Sequence, residues 1–592
     1  MARIAILLSD RCHPKECQWE CADYCPVNRM QQECIVEGAT GQPVISETLC
    51  IGCGICIHKC PFDAIKILNT PEADESEIIH RYGYNGFRLY RLPAPPSHGI
   101  TGILGPNGTG KSTALRIIAG TEVPNLGDYE HAGTWEAVCE RYRGTGLHAH
   151  FERIRKGQLR IAFKPQYVDS LADTRETIAE YVLGGGARGA AVLDELGLSR
   201  RKDRRLSEIA GGELQLAAIG RALATDADLY LFDEPSGYLD IVHRLQVARV
   251  LHRLGAERSV LVVEHDLALL DYLADQAHLL YGAPSAFGVV TAAMPMRAAI
   301  NTYLNGYLKT ENVRFREEPV RFVAHPPKPA SRLDTLVAFP ELEKRFEKFH
   351  LTVGAGRLAR GETVGVVGPN ATGKTTFVRM LAGAETPTRG TLPGTVTVSY
   401  KPQYLRATQS ASLRERVAAL AGDPSFDTGT FERELVPGLH LEEVMDVTLT
   451  DLSGGELQRA AVALALARPA TLYLLDEPSA YLDSDERMSM AKLIRRQVER
   501  QAVSALVVDH DVYFLDLASD ALMVFSDDGS DGSRGVGAGP FPMREGMNRL
   551  LRDVQVTFRR DAETLRPRIN QEGSALDREQ RSAGEYYYEP AT

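Results

Sequence analysis

The chain of 592 residues repeats itself, and this duplication constrains its fold more than any other feature. Five sequence blocks occur twice, in the same order. The pairs are GPNGTGKST at 105–113 with GPNATGKTT at 368–376, FKPQYV at 163–168 with YKPQYL at 400–405, GGELQ at 211–215 with GGELQ at 454–458, LYLFDEPSGYLD at 229–240 with LYLLDEPSAYLD at 472–483, and VVEHD at 262–266 with VVDHD at 507–511. The series predicts two homologous domains.

The first repeat carries an insertion. Lys111 and Gln166 are 55 positions apart, whereas Lys374 and Gln403 are 29 apart, so the first repeat has 26 extra residues between these blocks. The pattern near 134–160 predicts two short amphipathic helices around a Gly-Thr-Gly turn. The basic residues expected to be exposed there are Arg141, Arg143, Arg153, Arg155, Lys156 and Arg160.

Each repeat contains a G-x-x-x-x-G-K-[ST] motif between an apolar β-branched run and a helical pattern, which is typical of a phosphate-binding loop. Its glycines let backbone N–H groups point inward, and the helix N-terminus adds positive potential. We expect Lys111 and Lys374 to reach the β- and γ-phosphates of ATP, and Ser112 and Thr375 to bind Mg²⁺. The other predicted ATP-binding positions of the loops are Gly105, Asn107, Gly108, Gly110 and Thr113, and Gly368, Asn370, Gly373 and Thr376.

A carboxylate pair ends the apolar run of each DEP block, and each run is typical of a buried strand. Asp233 and Asp476 are predicted to hold Mg²⁺ through water, and Glu234 and Glu477 to polarise the attacking water. The other predicted catalytic side chains are His265 and His510, beside the γ-phosphate, and Gln166 and Gln403, which also contact the metal ion.

Adenine commonly stacks on an aromatic residue upstream of the phosphate loop. Tyr82 and Phe87 are the candidates in the first repeat, and Phe339, Phe346 or Phe349 in the second. Aromatic residues at such spacing are as often part of the core, so both interpretations stay open.

Nine of the ten cysteines lie within residues 12–60, and eight of these form two runs of four, each ending in Cys-Pro. The second run matches the two-cluster bacterial ferredoxin pattern and the first is a stretched version of it; in this pattern the fourth cysteine of each run binds the other cluster. The predicted ligands are Cys12, Cys17, Cys21 and Cys60 for the first 4Fe–4S cluster, and Cys50, Cys53, Cys56 and Cys25 for the second.

Zinc is the weaker alternative for these cysteines, because zinc sites favour separate C-x₂-C pairs over runs of three. Cys34 and Cys139 fit neither run and are expected to be packing residues. A structural role for the clusters is favoured over electron transfer, because the chain has no flavin or dinucleotide fingerprint to supply an electron acceptor.

Composition restricts the class of protein. The net charge of −11 argues against a polycation that coats nucleic acid, so any such contact would come from local basic segments at 141–160, 314–321 and 544–568. No apolar run approaches the ~18 residues of a membrane helix, and no secretory signal is present. We therefore expect a cytoplasmic protein without a membrane role.

The blocks together, above all the GGELQ motif ahead of the carboxylate strand, resemble the ATP-binding cassette superfamily. In that family the signature loop of one cassette covers the γ-phosphate bound by the other, so that ATP binding closes two head-to-tail cassettes and hydrolysis reopens them. The resemblance assigns this role to Ala210, Gly211, Gly212 and Glu213 in the first repeat, and to Ser453, Gly454, Gly455 and Glu456 in the second.

Nearly the whole chain resembles one branch, subfamily E, the ribosome recycling factors also called the ribonuclease L inhibitor family. The resemblance rests on CPVNRM at 25–30, CIGCGICIHKCPFDAI at 50–65, HRYGYNGFRLYRLP at 80–93 and PNLGDYE at 124–130. It implies an α/β protein with two tandem cassettes behind a ferredoxin-like α+β domain. The expected divisions are 1–75 for the iron–sulfur domain, 76–300 and 333–535 for the cassettes, 301–332 and 536–570 for two hinges, and 571–592 for a flexible, solvated tail.

This resemblance implies an ATPase that splits post-termination or stalled ribosomes and stays on the small subunit. The implied partners are the small subunit with its rRNA, which the 134–160 insertion contacts, and a release factor or Pelota-type protein. We expect a monomer with two 4Fe–4S clusters and two Mg²⁺–ATP sites, and the short tail and pI of 5.8 favour an archaeal source. The alternative is a cytosolic ATPase for iron–sulfur assembly or redox chemistry.

The two signature loops differ at one position, where Ala210 replaces the serine found at Ser453. A serine hydroxyl that donates to a γ-phosphate oxygen contributes about 1.5–3 kcal/mol. We therefore predict weaker closure at the Lys374 site, and stronger nucleotide occlusion there in the Ala210→Ser variant. Unchanged occlusion of labelled nucleotide by that variant would contradict this prediction.

Overall fold

The computed structural model describes residues 2–7, 11–38, 41–46, 49–62, 64–70, 77–84, 86–316, 318–322, 334–391, 396–403, 411–528 and 533–587. They form two compact units. The first comprises Met1–Pro235, Leu251–His265 and Ala274–Glu317, and the second Ser236–Val250, Asp266–Leu273 and Glu318–Thr592. The division cuts across the predicted first cassette, because two segments of the first repeat pack within the second unit.

The first unit begins with a small α+β domain, as predicted. Its elements are β1 (Ala2–Leu7), α1 (Glu20–Asp23), α2 (Pro26–Arg29), β2 (Ile35–Glu37), β3 (Pro43–Ile45), α3 (Ile55–Lys59) and β4 (Ile65–Thr70). Strand β1 pairs antiparallel with β4, and β2 with β3. Its core contains thiols, because Cys21, Cys25, Cys34 and Cys56 are buried together with Ile35.

A second sheet of the first unit carries the first set of repeated blocks. Its strands are β5 (Ile78–Arg81), β6 (Arg88–Tyr90), β7 (Gly99–Leu104), β8 (Ile161–Lys164), β9 (Leu229–Asp233), β10 (Ser259–Val263), β11 (Gln276–Ala283), β12 (Phe287–Val290) and β13 (Met294–Pro295). The order is β5-β6-β12-β11-β7-β10-β9-β8, with β13 beside β11. The neighbours from β11 to β8 are parallel, as expected for an α/β fold.

The first repeat also contains nine α-helices and a short strand pair among the described residues. These elements are α4 (Lys111–Ile118), α5 (Trp135–Arg141), α6 (Gly146–Arg155), α7 (Ile178–Leu183), α8 (Gly189–Glu195), α9 (Gly211–Ala224), α10 (Ile241–Gly255), α11 (Leu267–Leu273), α12 (Met296–Asn305), β14 (Tyr307–Leu308) and β15 (Val313–Arg314).

The second unit repeats the same sheet. Its strands are β16 (Thr335–Phe339), β17 (Leu342–Arg345), β18 (His350–Val353), β19 (Gly356–Ala359), β20 (Glu362–Val367), β21 (Val398–Lys401), β22 (Leu472–Asp476), β23 (Ser504–Val508), β24 (Ala521–Asp527) and β25 (Arg534–Pro542). The order is β17-β18-β25-β24-β20-β23-β22-β21, and β16 pairs with β19. Strand β25 carries the sheet to Pro542, so the predicted end of the second cassette at 535 is too early.

The remaining elements of the second unit are α13 (Lys374–Leu381), α14 (Leu413–Leu420), α15 (Thr428–Thr430), α16 (Val436–Gly438), α17 (Gly454–Leu466), α18 (Ser484–Gln501), α19 (Val512–Ala518), α20 (Met543–Val554), β26 (Phe558–Arg560), β27 (Pro567–Ile569) and α21 (Ala575–Ala583). The predicted first hinge lies partly outside the described residues, at 317 and 323–332. In the part of the chain that the structure describes, no helix is long and apolar enough to span a bilayer.

The central strands of both sheets are buried along their whole length, which explains their continuous apolar sequence. Because neighbouring parallel strands end at the same edge, the last residues of β9 and β22 lie beside the phosphate loops that follow β7 and β20. Those last residues are Asp233 and Asp476.

The insertion forms the two predicted helices, α5 and α6. The ring of Phe151, which is fully buried, packs at 5.8 Å from Trp135 and 5.1 Å from Tyr142, measured between ring centroids. All six predicted basic residues are exposed, but five of them have an acidic partner nearby. Those ion pairs are Arg143–Glu140, Arg153–Asp228, Arg155–Glu152, Lys156–Glu152 and Arg160–Asp226.

The basic segment 544–568 is tied into the second unit, although Arg544, Arg549 and Arg552 are exposed. Each of its seven arginines has a partner in that unit. The partners are Glu585 for Arg544, Glu545 for Arg549, the Gly584 carbonyl for Arg552, Asn570 for Arg559, Asp516 for Arg560, and Asp271 for Arg566 and Arg568.

The prediction of a solvated tail from 571 is wrong for its described part. Helix α21 begins at a Ser574 cap, and Tyr587 is 1% exposed. The Tyr587 hydroxyl donates to Asp516 over 3.1 Å, and the Tyr587 N–H donates to Asn548 over 2.9 Å. The tail is polar in sequence, but these long-range contacts hold it; residues 588–592 lie outside the described residues.

We predict that Tyr587→Ala lowers the free energy of unfolding of the second unit by about 3 kcal/mol, because a large aromatic side chain leaves a buried site. Tyr587→Phe should cost less, about 1.5 kcal/mol, because it removes one hydrogen bond to a carboxylate and keeps the ring. Urea denaturation followed by circular dichroism measures both. An unchanged midpoint for Tyr587→Ala would show that the tail does not contribute to stability.

Candidate nucleotide and cluster sites

The two phosphate loops have the same geometry. The ammonium of Lys111 donates to the carbonyls of Gly105 and Pro106 over 2.9 and 2.8 Å, which places it inside its own loop. Lys374 donates to the carbonyls of Gly368 and Pro369 over 2.8 and 2.6 Å. Both lysines are buried at the first turn of a helix.

Glycine is required just before each of these helices. Gly110 and Gly373 have φ of 90° and 97°, in the left-handed region that side chains disfavour. A Cβ at Gly110 would lie 2.6 Å from the Phe87 ring, and one at Gly373 would lie 2.8 Å from Leu351. Phe87 and Leu351 therefore occupy matching positions behind the two loops.

The predicted magnesium ligands come together in each unit. The Ser112 hydroxyl donates to Asp233 over 2.8 Å, and the Thr375 hydroxyl faces Asp476. The carboxylate of Asp476 and one oxygen of Asp233 are buried with no hydrogen-bond partner among the described residues. Unsatisfied buried oxygens beside a hydroxyl fit a hydrated cation.

The predicted catalytic side chains also converge. Gln166 donates to Oε1 of Glu234 over 2.8 Å, and Gln403 donates to Oε1 of Glu477 over the same distance. The Nε2 atoms of the two histidines lie 3.4 Å and 3.6 Å from the same glutamate oxygens, for His265 and His510 respectively. Each glutamate is thus approached by an amide and an imidazole, an arrangement that occurs once in each unit.

The carboxylates of the second site have opposite pKa shifts. Burial and the charge of Glu477 raise the pKa of Asp476 to about 6. Burial also acts to raise the pKa of Glu477, but His510 and Gln403 beside it bring that pKa down to about 2. Burial lowers the pKa of His510, so this imidazole is neutral at pH 7. In the first site, burial raises the pKa of Asp233.

The adenine candidates separate into surface and core residues. Tyr82 is 45% exposed near its loop and donates to Glu122 over 2.6 Å. Phe346 is 46% exposed and follows β17 as Tyr82 follows β5, so it is the matching aromatic residue of the second site. Phe339 is 3% exposed within the core, which leaves it no face for a base.

The two signature motifs begin helices α9 and α17, but only the second helix has a side-chain cap. Ser453 accepts from the Glu456 N–H, and Glu456 accepts from the Ser453 N–H in return, which forms a capping box. Ala210 has no oxygen to cap α9, and Glu213 forms an ion pair with Arg201 instead. The sequence difference therefore changes the hydrogen bonds at the start of the helix, while the backbone of Ala210 and of Ser453 is extended in both.

Sequence reasoning missed four further side chains at these sites. Lys164 and Lys401 donate to main-chain carbonyls of the two DEP blocks, and Gln215 and Gln458 donate there as well. A signal was available, because all four lie within the repeated KPQY and GGELQ blocks. Their direction toward backbone atoms could not be read from the sequence.

The cysteines surround two cavities in the small α+β domain. One cavity is lined by Cys12, Cys17, Cys21 and Cys60, and the other by Cys25, Cys34, Cys50, Cys53 and Cys56. Apart from Cys34, these are the two groups expected from the spacing of the runs. Cys139 lies elsewhere, on the buried side of the insertion helix α5, where it packs in the core as expected.

The thiols of both cavities fit metal clusters. Burial and the neighbouring thiols raise the pKa of Cys12 to about 11, of Cys21 to about 12 and of Cys56 to about 11, so a bound cation is needed to stabilise the thiolates. Backbone N–H groups also point at sulfur: Ala5 donates to Cys50 and Ala64 to Cys60, each over 3.4 Å. Such hydrogen bonds are typical of iron–sulfur ligands.

Family models match the same parts of the chain. The model described as "ABC transporter" matches residues 96–237 and 355–480. "Possible Fer4-like domain in RNase L inhibitor, RLI" matches 2–33, and "4Fe-4S binding domain" matches 43–66. The chain therefore combines two cassettes with a ferredoxin-type domain.

Full-length relatives decide the family. "ABC transporter E family member 1" of Arabidopsis thaliana is 40% identical and covers 99% of both chains. The chain belongs to the ABC transporter E family. An uncharacterised ABC transporter ATP-binding protein of Methanocaldococcus jannaschii is 43% identical over 99% of this chain and 97% of its own. "Translation initiation factor RLI1" of Saccharomyces cerevisiae is 39% identical over 99% and 98%.

Solved structures of E-family proteins match this fold. A chain from "Model of ribosome-bound archaeal Pelota and ABCE1" is 46% identical, covers 99% of each chain and has a TM-score of 0.92. A chain from a complex of an archaeal ribosomal stalk protein with "archaeal ribosome recycling factor aABCE1" is 45% identical, covers 88% of this chain and 100% of its own, and has a TM-score of 0.82.

The raised pKa of Asp476 leads to a pH prediction. Below about pH 6 this carboxyl is protonated and would lose the charge that is expected to attract Mg²⁺. With Glu234→Gln silencing the first site, the Mg²⁺ concentration for half-maximal hydrolysis should rise as the pH falls through 6. Asp476→Asn should raise it at every pH and remove the pH dependence; a pH dependence that survives in this variant would place the titrating group elsewhere.

Proposed function

We propose that this E-family chain is an ATP-driven ribosome recycling factor, which splits post-termination or stalled ribosomes and stays on the small subunit. The observation that carries the proposal is end-to-end similarity: one solved relative, described as ribosome-bound, matches 99% of the chain with a TM-score of 0.92. Because both cassettes and the cysteine domain are included, the proposal concerns the whole protein. A ribosomal stalk protein and a Pelota-type factor, named in the solved complexes, are the proposed partners.

The proposed enzymatic reaction is hydrolysis of ATP to ADP and phosphate at two sites. Lys111 and Lys374 would hold the β- and γ-phosphates. Asp233 and Asp476, each the first acid of its own carboxylate pair, would hold Mg²⁺ through water. Glu234 and Glu477 would orient the attacking water; the Gln166 and Gln403 contacts of 2.8 Å support this role, because they hold each carboxylate in one position.

We also propose two 4Fe–4S clusters, bound by the cysteine groups that line the two cavities. Support comes from the burial of the thiols, from the N–H groups that point at Cys50 and Cys60, and from the two matched ferredoxin-type models. Their role in this proposal is structural. Four thiolates from distant parts of a short segment clamp a domain that has little apolar core.

The proposed contact with rRNA involves the exposed basic face of the insertion. Arg141 is exposed and forms no ion pair within the described ranges, and the paired residues around it keep their positive ends at the surface. An assembly or redox ATPase is not favoured, because the named relatives concern ribosomes and translation.

Sedimentation with small ribosomal subunits tests the function. We predict that the protein is retained on the subunits with a non-hydrolysable ATP analogue and released with ADP. The Glu234→Gln/Glu477→Gln variant should be retained with ATP itself, because it binds ATP without turning it over. A Lys111→Ala/Lys374→Ala variant should lose the nucleotide effect, and retention that is indifferent to nucleotide in the unmodified protein would contradict the proposal.

Iron analysis tests the cluster assignment. We predict that Cys60→Ser loses one cluster, about half of the bound iron, and that Cys25→Ser loses the other, because each thiol belongs to a different ligand set. Cys139→Ser is the matched control and should keep all the iron. Electron paramagnetic resonance after reduction should show which signal remains; the same signal lost in both variants would exclude two separate ligand sets.

A further inference from the structure

Two lysines that the ATPase mechanism does not use are buried beside the catalytic glutamates. Lys164 and Lys401 are each 1% exposed and occupy the last positions of β8 and β21. Lys164 donates to the carbonyls of Asp233 and Glu234 over 2.9 and 3.1 Å. Lys401 donates to those of Asp476 and Glu477 over 2.8 and 3.1 Å. The arrangement therefore occurs twice, once in each unit.

The glutamates need such support, because their backbone is strained. Glu234 and Glu477 both have φ of 48°, a left-handed conformation that is unfavourable for a residue with a side chain. Their N–H groups are anchored on the neighbouring strands, to the carbonyl of Val263 over 2.9 Å and of Val508 over 2.8 Å. The lysines hold the carbonyl end of the same residues. Each strained peptide unit is thus bonded at both ends.

Burying the two ammonium groups is itself unfavourable. Burial lowers the pKa of Lys164 and of Lys401 to about 8, although nearby carboxylates oppose the shift. A group that was needed only to fill space would be apolar, since a buried charge costs free energy unless it is well paired. The positions of both lysines indicate a specific demand for a charged donor at the glutamate carbonyl.

We propose that Lys164 and Lys401 are positioning residues, which lock the left-handed backbone of Glu234 and Glu477 and so aim each carboxylate at the attacking water. The inference rests on the catalytic role proposed for these glutamates. It also gives the KPQY block a physical meaning. The lysine of the block donates to the main-chain carbonyl of the glutamate. The glutamine, which follows two residues later, donates to the carboxylate of the same glutamate. One strand end therefore fixes both the backbone and the side chain of that residue.

Gln215 and Gln458 are secondary holders of the same backbone. Gln215 donates to the carbonyls of Glu234 and Pro235 over 2.7 and 3.0 Å, and Gln458 donates to that of Glu477 over 2.5 Å. A neutral amide makes a weaker hydrogen bond than an ammonium. Loss of the glutamine should therefore have a smaller effect than loss of the lysine.

The test measures ATP hydrolysis by the full-length holoprotein in the Glu477→Gln background, which leaves the first site to act alone. Added Lys164→Met should lower kcat by about 10- to 100-fold and leave KM for ATP within about twofold, because a displaced carboxylate impairs chemistry and not binding. Lys309→Met, which removes an exposed lysine, is the matched control and should leave both constants unchanged. The reciprocal set uses Glu234→Gln with Lys401→Met.

The decisive comparison adds Lys164→Met to a protein that already carries both Glu234→Gln and Glu477→Gln. If the lysine acts through the glutamate, the residual rate does not fall further. A further fall, or a rise in KM with kcat unchanged, would overturn the inference. Should Lys164→Met fail to fold, Gln215→Met is measured in the same way, and the inference fails if kcat is unaltered.

Failure of the proposed catalytic role has a different signature. If Glu234→Gln leaves hydrolysis by the first site unchanged, Glu234 is not catalytic whatever Lys164→Met does. If Lys164→Met lowers kcat in that case, the lysine acts through another group and the positioning inference is wrong as well. A normal effect of Glu234→Gln together with no effect of Lys164→Met would reject the inference alone.

Discussion

The paired carboxylates that end the central strands are the constraint on which both nucleotide sites depend. Two acidic side chains follow one another at a buried sheet edge, where like charges repel strongly. In the second site their environments push their pKa values apart, to about 6 for Asp476 and about 2 for Glu477. The difference suits two tasks, since the carboxylate of Asp476 has no hydrogen-bond partner among the described residues and can take a cation, while Glu477 is held by donors as a carboxylate.

The small cysteine domain is under a different constraint, its lack of buried apolar surface. A segment this short buries little apolar surface, and its interior is largely thiols. Thiols with a raised pKa do not stabilise one another. They gain a structural role when they bind a cluster as thiolates, since that binding releases their protons. The fold of this domain and its proposed clusters are therefore linked, and Cys34 adds a fifth thiol beside the second ligand set without being required by the spacing.

The two repeats share a fold but are not equivalent. The first carries α5 and α6, whose surface is basic although most of its charges are paired, and its signature helix lacks the cap that Ser453 provides in the second. The first also offers Tyr82 where the second offers Phe346. Such differences leave the sheet and the phosphate loop intact, because they lie at helix ends and turns. The asymmetry of this protein is therefore located at the periphery of each site.

The sequence by itself determined the two α/β repeats, the insertion helices and the convergence of predicted site residues such as Gln166 and Glu234, because parallel strands end at one edge and repeated blocks mark that edge. Only the tertiary structure decided where isolated charges and rings point. In the tertiary structure Lys164 donates to a backbone carbonyl, and Tyr587 is buried although the tail that carries it is polar in sequence. The physical reason is that such contacts join residues distant in sequence, so no local pattern or periodicity encodes their partners.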